Sequence, residues 1–278
     1  MSFIDAHSHI WTPDTARYPL AAGFRRADMI PPSFTAEELL TEAKAVGVNR
    51  VVLIQMSFYG FDNSYMLDMI AKHPGQFSGV AVIDQNAKDP GAEMKQLKAR
   101  GVRGFRIYPK DRPAADWLGT DGLHKMFAAG AKENLAMCCL IDPNALPALD
   151  RMCRDFPDTP VVIDHLCRIG VSGRIEPKDV KSLCDMARHK LVHVKVSAFY
   201  ALGQKKAPYR DLSPMIRQVY DAFGRERLMW ATDCPFQVVG GHKYKDSIEL
   251  VQHGLAFLST DDKDWVLRRT AEKIFFHS

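Results

Sequence analysis

Phe3-Ile4-Asp5-Ala6-His7-Ser8-His9-Ile10 opens the chain as an alternating run almost from its first residue. Alternation marks a strand, whose successive side chains point to opposite faces, so Asp5, His7 and His9 are expected on one side. Seven further β-branched runs follow, at residues 48–55, 77–84, 102–109, 135–142, 161–166, 193–198 and 228–233. Their starts are mostly about 25–35 residues apart, which suits one strand and one returning helix. The segments between them read as helices. Thr35-Ala36-Glu37-Glu38 has capping-box spacing ahead of Leu39, Leu40 and Ala43. Gly47, Gly101 and Gly224 stand where helix C-caps would lie, and Asp261 and Asp262 favour the start of a last helix ending near Phe275.

Eight strand–helix pairs in 278 residues, with no linker or break in composition, predict an α/β protein. The expected architecture is a single (β/α)8 TIM barrel over residues 1–278, with its active site at the C-terminal ends of the strands. A doubly wound open sheet is the rival. It would be supported by G-x-G-x-x-G after the first strand or by G-x-x-x-x-G-K-[ST], and neither occurs. The longer connections, 11–34, 199–212 and 234–246, are expected to cover the C-terminal face.

Composition narrows the functional classes. The chain is 46% hydrophobic and 25% charged, which is ordinary for a soluble globular domain. Lys plus Arg is 37 and Asp plus Glu is 33, and a net charge of +4 is no argument for a nucleic-acid partner. No apolar run approaches the roughly 18–20 residues of a membrane span, and the N-terminus lacks the features of a secretory signal. Six cysteines without a C-x-x-C pair read as reduced thiols in a cytoplasmic protein. Self-association into a homo-oligomer is left open.

The chemistry is expected at the strand ends. Two imidazoles spaced by two, His7 and His9, can reach one metal ion. The alternative is a histidine pair hydrogen-bonded inside a polar barrel. Val162-Ile163-Asp164-His165 ends the sixth run, and Trp230-Ala231-Thr232-Asp233-Cys234-Pro235 ends the eighth. A barrel aims the ends of different strands at one central space, so His7, His9, His165 and Asp233 can converge there. On the fourth run Arg106 and Tyr108 alternate with Phe105 and Ile107, which places both polar residues toward the interior. A buried guanidinium needs an anionic partner, from the protein or from a substrate carboxylate. Arg112 and Arg168 follow in adjoining loops, each with a salt bridge to a loop acid as its alternative.

Asp5-Ala6-His7-Ser8-His9, Val162-Ile163-Asp164-His165 and Ala231-Thr232-Asp233-Cys234-Pro235, in that order, resemble the amidohydrolase superfamily, and within it the amidohydrolase-2 branch that contains the lactonases. The resemblance implies a barrel with a hydrolytic site in which His7, His9, His165 and Asp233 are the core residues. The binuclear branch bridges two metals with a strand-four lysine, where this chain has Arg106. The decarboxylase branch usually carries a strand-five histidine, and residues 136–142 contain none. Arg106, Arg112 and Arg168 resemble positions that grip carboxylates in the pyrone-dicarboxylate lactonases, as does Gln55-Met56-Ser57-Phe58-Tyr59 with Asp62-Asn63. An arginine expected after strand seven is not evident, and Lys195, Ser197 or Tyr200 stands there instead.

The expected function is opening of a carboxylated or sugar-derived lactone by an activated water. Asp233 is the expected general base and His165 a catalytic partner. His7, His9, His165 and Asp233 are the expected ligands of one divalent ion, Zn2+ by preference, with a metal-free mechanism kept open. Substrate contacts are expected from Arg106, Arg112, Arg168, Ser57, Tyr108 and Lys195. A metal-dependent decarboxylase of an aromatic or unsaturated acid is the nearest alternative, and a non-catalytic carboxylate-binding barrel is a more distant one.

Overall fold

The structure is a computed structural model that describes residues 2–108 and 118–277. Its eight strands are β1 (Phe3–Ser8), β2 (Val48–Ile54), β3 (Phe77–Ala81), β4 (Val102–Ile107), β5 (Ala136–Cys139), β6 (Val161–Ile163), β7 (Val192–Val196) and β8 (Leu228–Trp230). They form one parallel sheet in sequence order. The two edges meet through a parallel bridge between Ser8 and Cys234. Asp233 N donates to His7 O at 2.9 Å, and His9 N donates to Cys234 O at 2.7 Å. The barrel is therefore closed at its upper rim by the residues expected to carry the chemistry.

A helix returns the chain after each strand, as the periodicity predicts. The first, α1 (Ala36–Lys44), begins on the expected capping box: Glu38 N donates to Thr35 Oγ1, and Thr35 N donates to the Glu38 carboxylate. Six more follow: α2 (Ser64–Lys72), α3 (Pro90–Lys98), α4 (Asp121–Glu133), α5 (Leu146–Asp155), α6 (Pro177–Asp185) and α7 (Ser213–Phe223). A shorter α8 (Tyr244–Glu249) precedes the closing helical run, which starts at Thr260, includes a π-helical stretch over Trp265–Arg269, and ends at Phe275.

Most apolar side chains fill the layer between strands and helices, where Val51, Leu53, Phe105, Met137 and Trp230 are buried. A second cluster occupies the barrel's interior and is built from Ile4, Ala6, Val52, Ile54, Val80, Cys138, Val162 and Met229. Ala271 and Phe275 of the closing helix join it. The Phe275 ring lies 5.4 Å from the Lys195 ammonium. Apolar residues fill the base, so the polar groups sit above it.

Two expectations are corrected. The strands at the sixth and eighth runs stop earlier than the apolar pattern suggests, at Ile163 and Trp230, because the backbone turns left-handed just beyond. Asp5 does not share a side with His7 and His9. The β1–β2 register shifts between Asp5 and Ser8, and such an irregularity re-aims side chains. All six cysteines are free, and Cys167 and Cys234, beside His165 and Asp233, are buried thiols whose pKa burial pushes well above the usual range.

Candidate active site

The site is a floor of imidazoles under an open cavity of about 510 Å³. Asp5 secures its rear. That carboxylate accepts from Thr232 Oγ1 at 2.5 Å, Tyr244 OH at 2.6 Å and Ser8 Oγ at 2.8 Å. It also accepts from the backbone amides of Thr232 and His7, both at 3.0 Å. These bonds stitch β1 to the segment after β8 and fix His7 and Asp233 relative to one another.

Asp233 is the hub. Its Oδ1 lies 3.3 Å from His7 Nε2, 3.2 Å from His9 Nε2 and 3.7 Å from His165 Nε2, and its Oδ2 accepts from Tyr200 OH at 2.7 Å. Burial pushes the Asp233 carboxyl up, yet the facing His165, His9 and His7 more than offset it and hold it below the usual carboxylate range. Burial lowers the pKa of His7 well below its ordinary value, reinforced by the Lys195 charge. His165 is lowered too, by burial first, with Asp233 and Asp164 acting the other way. The floor thus combines an ionised carboxylate with the imidazoles of His7 and His165, whose protonation burial disfavours.

Each ring is aimed by a further contact. His9 Nδ1 donates to the Ile54 carbonyl at 2.9 Å. His165 Nδ1 is 2.8 Å from Ser197 Oγ, whose own hydrogen bonds to Lys195 O at 3.4 Å, so Nδ1 donates. His165 leaves β6 on a run of positive φ: His165 at 55°, Leu166 at 52°, Cys167 at 56° and Arg168 at 55°. A left-handed turn costs L-residues roughly 1–2 kcal/mol each. It carries His165 to the floor and Arg168 to the cavity wall within four residues.

The donor set fits one divalent ion. His7, His165 and Asp233 each present a ligand atom within 4.8 Å of the others, and His9 Nε2 lies 3.3 Å from His7 Nε2. Four ligands at about 2.0 Å from a tetrahedral ion stand roughly 3.3 Å apart. The separations from Asp233 Oδ1, 3.2–3.7 Å, bracket that edge, while His9 stands outside the group whose ligand atoms all lie within 4.8 Å of one another. Three nitrogens and one oxygen are a set that suits Zn2+.

His9, His165 and Asp233 line the cavity floor, with Arg106, Tyr108, Ser57 and Arg168 on its walls. Among the described residues no hydrogen bond or ion pair engages the half-buried Arg106 guanidinium, whereas Arg168 Nη1 is 3.2 Å from Asp142 Oδ1. Arg112 lies outside the described residues. Phe236 lines the cavity, while Trp11 is fully buried behind it at 6.1 Å between ring centroids.

Lys195, expected to contact substrate, points inward but stops short of the cavity. It is fully buried, 3.0 Å from Asp164 Oδ1 and 3.1 Å from His7 Nδ1. The interior direction was readable from alternation on β7; the depth was not. Two residues outside the expected roles emerge. Asp164 sits beneath His7, held well below the usual carboxylate range because Lys195 and His7 outweigh its burial. Tyr200 binds Asp233 from a loop, where no periodicity marks direction.

Residues 4–276 match the family model described as amidohydrolase. The chain is 30% identical over 247 residues to L-fucono-1,5-lactonase of Burkholderia ambifaria, covering 86% of this chain and 82% of that one. It is 28% identical over 254 residues to 2-pyrone-4,6-dicarboxylate hydrolase of Comamonas testosteroni, covering 88% and 80%. Among solved structures, an amidohydrolase from Burkholderia multivorans with bound zinc superposes with a TM-score of 0.82 at 19% identity, covering all of both chains. That last likeness concerns the fold.

Proposed function

The chain belongs to the amidohydrolase family, and on that premise we propose that it hydrolyses a lactone, carboxylated or sugar-derived. One observation carries the reading. An ionised carboxylate ringed by three imidazoles faces the same cavity as an arginine that no described residue neutralises. The named relatives include a sugar-lactone hydrolase and a dicarboxylate lactone hydrolase, which supports this substrate class.

Asp233 Oδ1 accepts a proton from the attacking water as its oxygen bonds to the ring carbonyl carbon. The acyl C–O bond then breaks, and the same proton passes to the departing alkoxide. Tyr200 holds Oδ2, so Oδ1 is left toward the floor. Arg106 binds the substrate carboxylate in a two-point fork, and Arg168 is available once that carboxylate competes with Asp142. His7, His9, His165 and Asp233 would hold the ion, and Zn2+ there would acidify water and polarise the carbonyl. That contribution matters because a carboxylate held below its usual range is a weak base by itself.

A panel of carboxylated and sugar lactones, followed by proton release, tests the reading. Turnover of at least one, lost in Asp233→Asn, supports it. Carbon dioxide release from aromatic acids with no lactone opened rejects it.

A further inference from the structure

Lys195, Asp164 and His7 are all fully buried beneath the cavity, and their mutual contacts are unequal. Lys195 Nζ lies 3.1 Å from His7 Nδ1 in hydrogen-bonding geometry and 3.0 Å from Asp164 Oδ1. His7 Nδ1 and Asp164 Oδ1 are 3.4 Å apart. An ammonium group only donates, so a bond from Lys195 requires the lone pair on Nδ1 and puts the ring proton of His7 on Nε2. His9 carries a proton on Nδ1 instead, because that atom faces the Ile54 carbonyl, which only accepts. Its Nε2 lies 3.3 Å from His7 Nε2 and 3.2 Å from Asp233 Oδ1. In this arrangement the His7 Nε2–H faces two acceptors at the same 3.3 Å, His9 Nε2 and Asp233 Oδ1.

We propose that Lys195 and Asp164 are opposed positioning residues that select the tautomer of His7, and with it the affinity of the floor for a divalent ion. While Lys195 donates to Nδ1, His7 has no lone pair at Nε2. To turn a lone pair toward an ion, His7 must carry its proton on Nδ1. Asp164 is then the acceptor, and Lys195 directs its N–H to the same carboxylate. A buried ion pair is often no more stabilising than apolar residues of the same volume, so selection of a neighbour's tautomer gives this one a purpose. The floor consequently binds an ion less tightly than its donors alone would. The inference rests on the reading of these residues as the reactive floor, but its test uses no turnover, so failure to open any lactone leaves the test standing.

Histidine 15N NMR on the wild-type protein, before and after Zn2+ addition, reads the tautomer directly. Metal-free His7 is expected to show an unprotonated Nδ1 and a protonated Nε2, and Zn2+ to reverse this. In chelator competition, Lys195→Met is expected to bind Zn2+ about 10-fold or more tightly than wild type, and Asp164→Asn to bind it about 10-fold more weakly. A metal-free wild-type His7 protonated at Nδ1 overturns the proposal, as does a folded Lys195→Met protein with unchanged or weaker Zn2+ affinity. If neither variant folds, the wild-type spectra decide.

Discussion

Asp233 adopts a φ of +70°, a conformation that costs a non-glycine residue on the order of 1–3 kcal/mol and persists only where its surroundings dictate it. Its backbone amide donates to His7 O, Tyr200 holds one carboxylate oxygen, and three imidazoles face the other. Arg106 presents the complementary feature, a cavity-facing charge that no described residue neutralises. Loss of one charge-assisted, two-point contact is worth about 1.5–3 kcal/mol. Arg106→Met is therefore expected to raise KM for a carboxylated lactone by roughly 10- to 100-fold, with little effect on an uncharged lactone. Steady-state kinetics on the matched pair checks this; an equal rise for both substrates would remove Arg106 from carboxylate recognition.

Elements that follow local rules were legible before any coordinates. The Thr35 box starts α1 as its spacing predicts, and Thr35→Ala is expected to lower unfolding stability by about 1 kcal/mol. Urea denaturation checks that, with lactone turnover per folded molecule unchanged. The eight β-branched runs located every strand, because burial on both faces of a parallel strand leaves an apolar record in the residues themselves. The turn at His165–Arg168 left no such record. Its four positive-φ residues are His, Leu, Cys and Arg, none of them glycine, so tertiary packing rather than propensity sets that conformation. Alternation placed Arg106 inside the barrel, but it carries direction and not height. Height separates an arginine on the cavity wall from a lysine buried under the floor. The register shift in β1 was invisible for a related reason: it depends on the partner strand.

Across the whole molecule, buried neutral histidines couple stability to pH. His193, on β7 and 3% exposed, has its pKa pushed down to about 4, chiefly by burial and further by Lys273 and Arg227. A depressed histidine is protonated more readily in the unfolded chain. Stability from this residue is therefore fully present above the ordinary value of 6.5 and is lost as pH falls from 6.5 toward 4. A shift of that size corresponds to about 3 kcal/mol, and His7 and His165 act in the same direction. Chemical denaturation at a series of pH values is expected to show His193→Leu with a flatter decline than wild type over that window; identical slopes would contradict the assignment.

The same barrel that buries these histidines brings residues from β1, the β6 turn and the segment after β8 into one reacting group, with Asp233 at its centre. The most direct measurement is proton release from carboxylated and sugar lactones by the wild-type protein and by Asp233→Asn, at equal folded concentration. The expected result is opening of at least one lactone with one proton released per turnover, and a kcat lower by about 10²–10⁴ in the variant. Equal rates in the two proteins, or no lactone opened by either, would contradict the account.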